Sequence, residues 1–415
     1  MTSLLDDEAA ERMFLQLHNL RIIASAAACG SATAAGHLLF KSASTITRGI
    51  GEVEQAIGLT LFERGPAGFI PNLYGRILVE RIRRIRDEMD LVEGEFVRAK
   101  TKGSRVSTGA LSYLLHSGRK LLLLIHLADK RNFADAAGQL KVTQSGASMA
   151  LGRIEDSLGV RLFFRGMQGL TPTDEASKLI LHAKRMRAEL RHAASELSSV
   201  AGSLVGTTII GTLPMARTDI LPRAIGRCLA RYPNIQVQTV EAPGAVLISQ
   251  LRSGEIDAVL SVPGPGFEPA GLLVEPLFRD ELVVVASPTH PLAGRRGLTL
   301  AEIATWKCIL PRRHSVSRTM FERACDDEGI KPPKAAVETA DLLLMRLLLA
   351  DREMLALTSL SYVQYELTAG ILSRIDVRMT PIERDVALLR RDAMTLSPAA
   401  TSLIDEIRAT TCPPA

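Results

Sequence analysis

The chain has 415 residues, 47% of them apolar, enough for two to four domains of about 100–200 residues, each with its own core. Its start, MTSLLDDEAAERM, carries acids where an export signal needs a basic, then apolar, segment; no apolar run reaches the roughly 18 residues of a membrane span, so a cytoplasmic protein without membrane partners is expected. The formal net charge of +5 is uneven, with 27 Lys and Arg against 21 Asp and Glu in residues 1–203 and 23 against 24 in the rest, so an excess suited to a polyanion is confined to the front.

From the front, the first element is a unit that occurs twice. LFERGPAGFIPNLYG (residues 61–75) returns 101 positions later as LFFRGMQGLTPTDEA, and the same offset pairs Leu20 with Leu121, Ala35 with Ala136, Leu39 with Leu140, Gly51 with Gly152, Glu54 with Glu155 and Gly58 with Gly159. In the first copy the helix SASTITRGIGEVEQAIG presents Ser42, Ser44, Thr45, Thr47 and Arg48, and the following ribbon carries Arg64. A long helix comes next, with Leu78, Ile82, Ile85, Met89, Val92 and Phe96 alternating by four and three as a coiled-coil seam.

The second copy reads more clearly. Leu121, Leu124 and Ala128 repeat at helical spacing, and Asn132 suits the cap of a short helix bearing Ala136, Ala137 and Leu140. After a turn at 141–143, a helix over about Gln144–Leu158 turns Ala147, Leu151, Ile154 and Leu158 inward and Ser145, Ser148, Met149 and Gly152 outward, stopping at Gly159. Short strands around 160–164 and 170–171, joined by RGMQG, make a ribbon, and a second seam runs through Leu179, Ala183, Met186, Leu190, Ala193, Leu197 and Val200.

Three helices with a tight turn before the third, then a glycine-bearing ribbon, describe a winged helix-turn-helix. Small hydroxyl and amide groups on the third helix let it enter a major groove of double-stranded DNA; Thr143, Gln144, Ser145, Ser148 and Arg153 are the candidate contacts, with Arg165 on the wing reaching a phosphate or the minor groove. The first copy puts Arg48 where the second has Met149, and Lys41 where it has Val142. Either this copy reads a different DNA sequence, or it has become a dimerisation or backbone-clamping module. Two equal seams argue for pairing of chains or of units, so that two half-sites are gripped together.

AAGQLKVTQSGASMALGRIEDSLGVRLFFRG resembles the N-terminal signature of LysR-type transcriptional regulators across about 60 residues: the paired alanines, Leu140, the T-Q-S turn, Ser148, the I-E pair, L-G and L-F-x-R are in register. The resemblance implies one such unit, a linker helix and an effector domain, here with an extra unit and helix in front. It also implies a homodimer or homotetramer, a small-molecule effector such as an organic acid or sugar derivative, RNA polymerase as a further partner, and no cofactor.

The rest of the chain supports this independently. GTTIIGTLPMARTDILPRAIGRCLARYPNIQVQTVEA reads strand, helix, strand; a further helix leads to IDAVLSV, then ELVVVASP, and a similar pattern recurs from Leu300 before VALLRR. Two α/β subdomains with crossings near Ser287 and Val377 are expected, of the kind found in periplasmic binding proteins. Ligands bind at strand ends in such sheets, which singles out Thr212, Pro214, Met215 and Ala216, then Pro263 and Gly264, His314 and Ser315, and Thr358. Residues 351–354 read DREM, a departure from the glycine-containing turn common in the family. The expected organisation is 1–72 and 103–173 as winged helix-turn-helix domains, 73–102 and 174–203 as long helices, and 204–415 as effector domain, with subdomain I at 204–286 and 377–415 and subdomain II at 287–376.

A ligand-responsive transcription factor is the reading favoured. The alternative is a cytosolic solute-binding or sensor protein whose front module only mediates assembly. An enzyme is disfavoured by the lack of HExxH, GxSxG or Walker spacing and by the isolation of His290 and His314. Cys29, Cys228, Cys308, Cys325 and Cys412 lack CxxC spacing, so no metal site is written here, and idle thiols are expected rather than a Cys308–Cys325 redox pair.

Overall fold

The 101-residue offset covers more than the ribbon. In the computed structural model, which describes residues 5, 7–65, 68–100, 107–167, 169–264, 266–351, 353–392 and 394–411, the first copy comprises α1 (Asp7–Leu15), α2 (Leu17–Cys29), α3 (Ala32–Leu39), α4 (Ala43–Ile57), β1 (Phe62–Gly65), β2 (Gly68–Pro71) and α5 (Leu73–Lys100). The second repeats it as α6 (Thr108–Leu115), α7 (Gly118–Lys130), α8 (Phe133–Gln139), α9 (Gln144–Leu158), β3 (Phe163–Gly166), β4 (Gly169–Pro172) and α10 (Asp174–Val200).

The recurring residues have local reasons. Gly58 and Gly159 end α4 and α9 in the left-handed region, at φ 69° and 76°, where a side chain is strained. The Glu54 carboxylate accepts from the Leu61 amide and Glu155 from the Leu162 amide, both at 2.7 Å, so each third helix pins the start of its ribbon. Gly68 and Gly169 let each ribbon press on the turn that ends α2 or α7: a Cβ there would lie 2.1 Å from the Gly30 carbonyl oxygen and 2.4 Å from that of Arg131.

The seams meet each other within one chain. Leu78, Ile82, Ile85, Met89, Val92 and Phe96 of α5 and Leu179, Ala183, Met186, Leu190, Ala193 and Leu197 of α10 are buried in one core that also holds the helices of both units. Val200, expected in the second seam, is instead exposed, because it falls at the end of α10 beyond the reach of α5. Ion pairs fix the direction: Arg81 meets Glu189 and Glu196, both at 2.9 Å, while His182 meets Glu88 at 2.6 Å and Glu95 at 3.7 Å. Low numbers on one helix face high numbers on the other, so the helices are antiparallel. Because 81 and 182, 88 and 189, and 95 and 196 are equivalent positions of the repeat, the pairs repeat each other about a local two-fold axis. α1 packs on α10 and α6 on α5, the same exchange seen from each side.

The remainder is β5 (Gly206–Thr212), a 3-10 turn at Pro214–Ala216, α11 (Ile220–Arg231), β6 (Ile235–Val240), α12 (Gly244–Ser253), β7 (Ala258–Ser261), β8 (Leu272–Ala286), α13 (Leu300–Ala304), β9 (Lys307–Leu310), α14 (Val316–Asp327), β10 (Ala335–Glu338), α15 (Leu342–Leu349), β11 (Met354–Ser359), α16 (Leu360–Thr368), β12 (Ser373–Ile375), β13 (Ile382–Arg391) and α17 (Pro398–Thr411). The strands form one sheet in the order β10-β9-β11-β8-β13-β7-β5-β6, with β12 beside β8. β5 pairs in parallel with β6 and β7, and β9 with β10 and β11, so each end of the sheet is a parallel α/β lobe. β8 and β13 run antiparallel through both lobes and pair from Leu272–Arg391 to Leu282–Ile382, which puts the crossings inside these strands, before Ser287 and after Val377.

Among the described residues no helix is long and apolar enough to cross a membrane. Cys228, Cys308 and Cys325 are buried, and burial pushes the Cys308 and Cys325 thiols up to about 11. Cys412, like Arg352 in the DREM segment, lies outside the described residues. A disulfide reagent at pH 8 is therefore expected to leave both thiols unmodified until denaturant is added; labelling of the native chain at either position would contradict this.

Candidate functional site

Both third helices present their amino ends to solvent. Ser42 caps α4, accepting from the Thr45 amide at 3.2 Å, and its hydroxyl lies 2.8 Å from those of Ser44 and Thr45. Thr143 caps α9, accepting from the Gly146 amide at 3.1 Å and facing the Ser145 hydroxyl at 3.3 Å. Each end thus joins a positive helix dipole to exposed hydroxyls, a surface suited to phosphate oxygens and base edges. Gln144 is exposed beside the amino end of α9, and Arg153 is exposed more than two turns further along the helix.

The two ends differ. Arg48 is 81% exposed and pairs with Glu52 at 2.9 Å on its own helix, and Thr47 bonds back to the Ala43 carbonyl. In the second unit Arg165 folds from the ribbon onto the third helix: it donates to the Ser148 hydroxyl at 3.4 Å and lies over the Phe133 ring at 5.1 Å. Ser148 and Arg165 therefore form one surface. The Arg64 backbone pairs with Phe69 in the first ribbon, and its side chain lies outside the described residues. Sequence reasoning passed over Phe40, which is 96% exposed in the turn before α4 with φ 54°, in the place of Lys141 with φ 53°. The signal was available, since a turn that holds a lysine in one copy holds an aromatic in the other.

In the α/β part the expected residues split. Thr212 ends β5 buried, its hydroxyl donating to the Leu213 carbonyl at 3.0 Å. Met215 packs in an apolar cluster between the lobes with Val262, Tyr362 and Val363, whereas Ala216 faces the other side, in a core with Ile220, Leu221 and Leu260. Gly264 abuts α14 so closely that a Cβ would lie 2.7 Å from a Val316 methyl, which brings the loop of Pro263 and Gly264 against Ser315, the cap of that helix. His314 is exposed, with φ 63°, and Thr358 is buried in β11 opposite Val283. Where the lobes join there is a polar network that sequence reasoning missed. Asp280 of β8 accepts from Arg384 of β13 at 2.8 Å, from the Ser359 hydroxyl at 2.6 Å, and from the Ser361 hydroxyl and amide at 2.9 and 3.1 Å. Arg384 also reaches Ser317 of α14, and Thr218 beside the 3-10 turn donates to the Ser361 carbonyl at 3.2 Å. These groups link both lobes and both crossing strands, so lobe closure would be felt here.

A second junction holds α10 to the first lobe. Asp257, fully buried, accepts from Arg191 at 2.6 and 2.9 Å, from His192 Nε2 at 2.8 Å and from the Ile209 amide at 2.8 Å. Burial raises the Asp257 pKa, but the Arg191 charge and His192 outweigh it and hold the carboxyl well below the usual range. Burial lowers the His192 pKa more than Asp257 raises it, which keeps the imidazole neutral.

Comparison with known proteins follows the same division. The family description "Bacterial regulatory helix-turn-helix protein, lysR family" matches residues 17–76 and again 119–177, and "LysR substrate binding domain" matches 201–411. The chain is 33% identical over 392 residues to HTH-type transcriptional regulator GalR of Pseudomonas putida, covering 94% of this chain and 96% of that one. It is 29% identical over 286 residues to HTH-type transcriptional regulator CfxR of Cupriavidus necator, covering 68% and 88%. Among solved structures, a full-length OxyR variant from Pseudomonas aeruginosa superposes with TM-score 0.51 at 21% identity, over 70% of this chain and 97% of that one; CbnR, a LysR family transcriptional regulator, does so with TM-score 0.50 at 18%, over 71% and 99%. These two likenesses concern the fold.

Proposed function

The chain belongs to the LysR family of transcriptional regulators, and from that premise we propose that its two front units are tandem winged helix-turn-helix modules which together grip one operator of two unlike half-sites. The observation that carries this reading is the antiparallel pairing of α5 with α10, which arranges two copies of one unit about a local two-fold axis. Two half-sites on one duplex are contacted by units so related, and here a single chain provides both. Because the units are not identical, the operator need not be a palindrome. Ser42, Ser44, Thr45, Thr47, Arg48 and Arg64 would serve one half-site, and Thr143, Gln144, Ser145, Ser148, Arg153 and Arg165 the other. Any homodimer or homotetramer would form through other surfaces, the seams being occupied.

In the cleft, Thr212, Met215, Gly264, Ser315 and Thr358 are the proposed surroundings of a small organic acid or sugar derivative. Its binding would bias lobe closure and so DNA engagement, with RNA polymerase as the downstream partner.

Footprinting on the region upstream of the chain's own gene tests the reading. The intact chain is expected to protect two patches, Arg48→Ala to weaken one and Ser148→Ala the other, each by about tenfold or more at the affected patch. If Ser148→Ala alone has an effect, the front unit clamps or assembles without reading bases. Affinity is also expected to fall steeply between 50 and 200 mM salt as phosphate counterions are released, and a salt-independent interaction would exclude this mode of DNA binding.

A further inference from the structure

We propose that Arg391 is the positioning residue through which the effector-binding lobes set the placement of one DNA-binding unit against the other. Glu88 and Glu189 are equivalent positions of the repeat and face each other near the local two-fold axis of α5 and α10. Arg391, at the end of β13, reaches between them, 3.5 Å from each. Its side chain is 5% exposed, and among the described residues its Nε has no hydrogen-bond partner. Beyond the end of β13, the Thr395 carbonyl accepts from Arg81 Nη1 at 2.9 Å.

The two units are attached to the lobes unequally. α10 is bolted to the first lobe through Arg191 and His192 on Asp257, Lys184 on Glu255 and Arg185 on the Arg252 carbonyl. The described hydrogen bonds and ion pairs from α5 to the lobes run to Arg391 and Thr395. Unit two thus moves with the lobe, and unit one, packed on unit two through the α5–α10 core and the Arg187–Glu11 pair, meets the lobes in this buried cluster. β13 ties Arg391, on its first-lobe side, to the Arg384–Asp280 pair where the lobes join, which is the route by which closure would reach it. A charge-assisted pair is tightest near 2.7–2.9 Å, so a guanidinium 3.5 Å from two acids is placed to tighten on either one.

The inference rests on the two-unit reading, and the test separates the two. Full-length wild type, Arg391→Met and Arg391→Lys are titrated against the duplex that wild type protects, against the same duplex with 5 bp inserted between the protected patches, and against each half-site alone. Wild type is expected to lose tenfold or more on the insertion, which turns one half-site by half a helical turn. Arg391→Met should bind each half alone like wild type yet bind the natural spacing several-fold more weakly and discriminate less against the insertion, and Arg391→Lys should restore most of the discrimination. Unchanged spacing preference in Arg391→Met overturns the inference. So does an equal loss on the isolated halves with a lowered unfolding temperature, which would mean a structural role only. If wild type protects no second patch, the two-unit reading fails and takes this inference with it.

Discussion

Asp257→Ala is expected to destabilise the chain by about 3–5 kcal/mol, the range for removing one partner of a buried ion pair. The carboxylate accepts from four donors: two guanidinium nitrogens of Arg191, His192 Nε2 and the Ile209 amide. Its loss leaves the Arg191 charge with, among the described residues, hydrogen bonds to the Thr207 and Gly254 carbonyls alone. Asp257→Asn keeps the volume and should lose less, though the charge goes as well. Urea unfolding followed at the lobe and at the front module reads the difference, and the two signals should separate in the variant because this junction joins them. A shift below about 1 kcal/mol would mean that surrounding groups or water satisfy Arg191 without the carboxylate. The pH dependence has a definite sign. Asp257 is depressed, so its stabilisation is present above the ordinary carboxylate pKa near 4 and is lost as pH falls through its lower folded value. His192 is depressed too, so the unfolded chain takes up a proton that the folded chain refuses as pH drops below about 6.5, and stability should begin to decline there first.

Removing the first unit, so that the chain begins at residue 107, is expected to turn the remainder into a self-associating or aggregating protein. α10 would lose the partner that buries Leu179, Ala183, Met186, Leu190, Ala193 and Leu197. At roughly 1.5–3 kcal/mol for a fully buried aliphatic side chain and less for alanine, this leaves on the order of 10 kcal/mol of apolar exposure uncompensated. A second copy of α10 offers the same seam, so light scattering should show a higher order than the intact chain has under the same conditions. A truncated chain that stays monodisperse with no increase in order would show that α10 does not need α5.

Much of this was legible in the sequence where contacts are local. The helix Gln144–Leu158, its inward residues and its glycine stop follow from a 3.6-residue period and a left-handed cap, and they stand where the period puts them. Glu54 and Glu155 could be seen to recur, but their task of pinning the ribbon depends on a hydrogen bond across a turn that no period encodes. The seams showed that two apolar stripes need partners without showing that each is the other's, because Arg81 and Glu189 are 108 positions apart. Ala216 was assigned to the cleft from its place after a strand. A single turn of 3-10 helix sends Met215 and Ala216 to opposite sides, a distinction too short to carry a periodic signal. Asp280 and Arg384 lie in strands whose pairing fixes the lobe junction, and neither strand announces its neighbour.

The two-fold pairing of α5 and α10 also bears on synthesis. The stripe on α5 emerges from the ribosome 101 residues before its counterpart on α10. At about 5–20 residues per second, that interval lasts roughly 5–20 s. Throughout it, a complete three-helix unit trails a long apolar stripe with nothing to cover it, beside neighbouring nascent chains that carry the same stripe. Whether the message yields separate molecules or entangled pairs is then a race between the ribosome that makes α10 and the approach of a neighbour's α5. Slow translation of residues 101–174 would favour the neighbour.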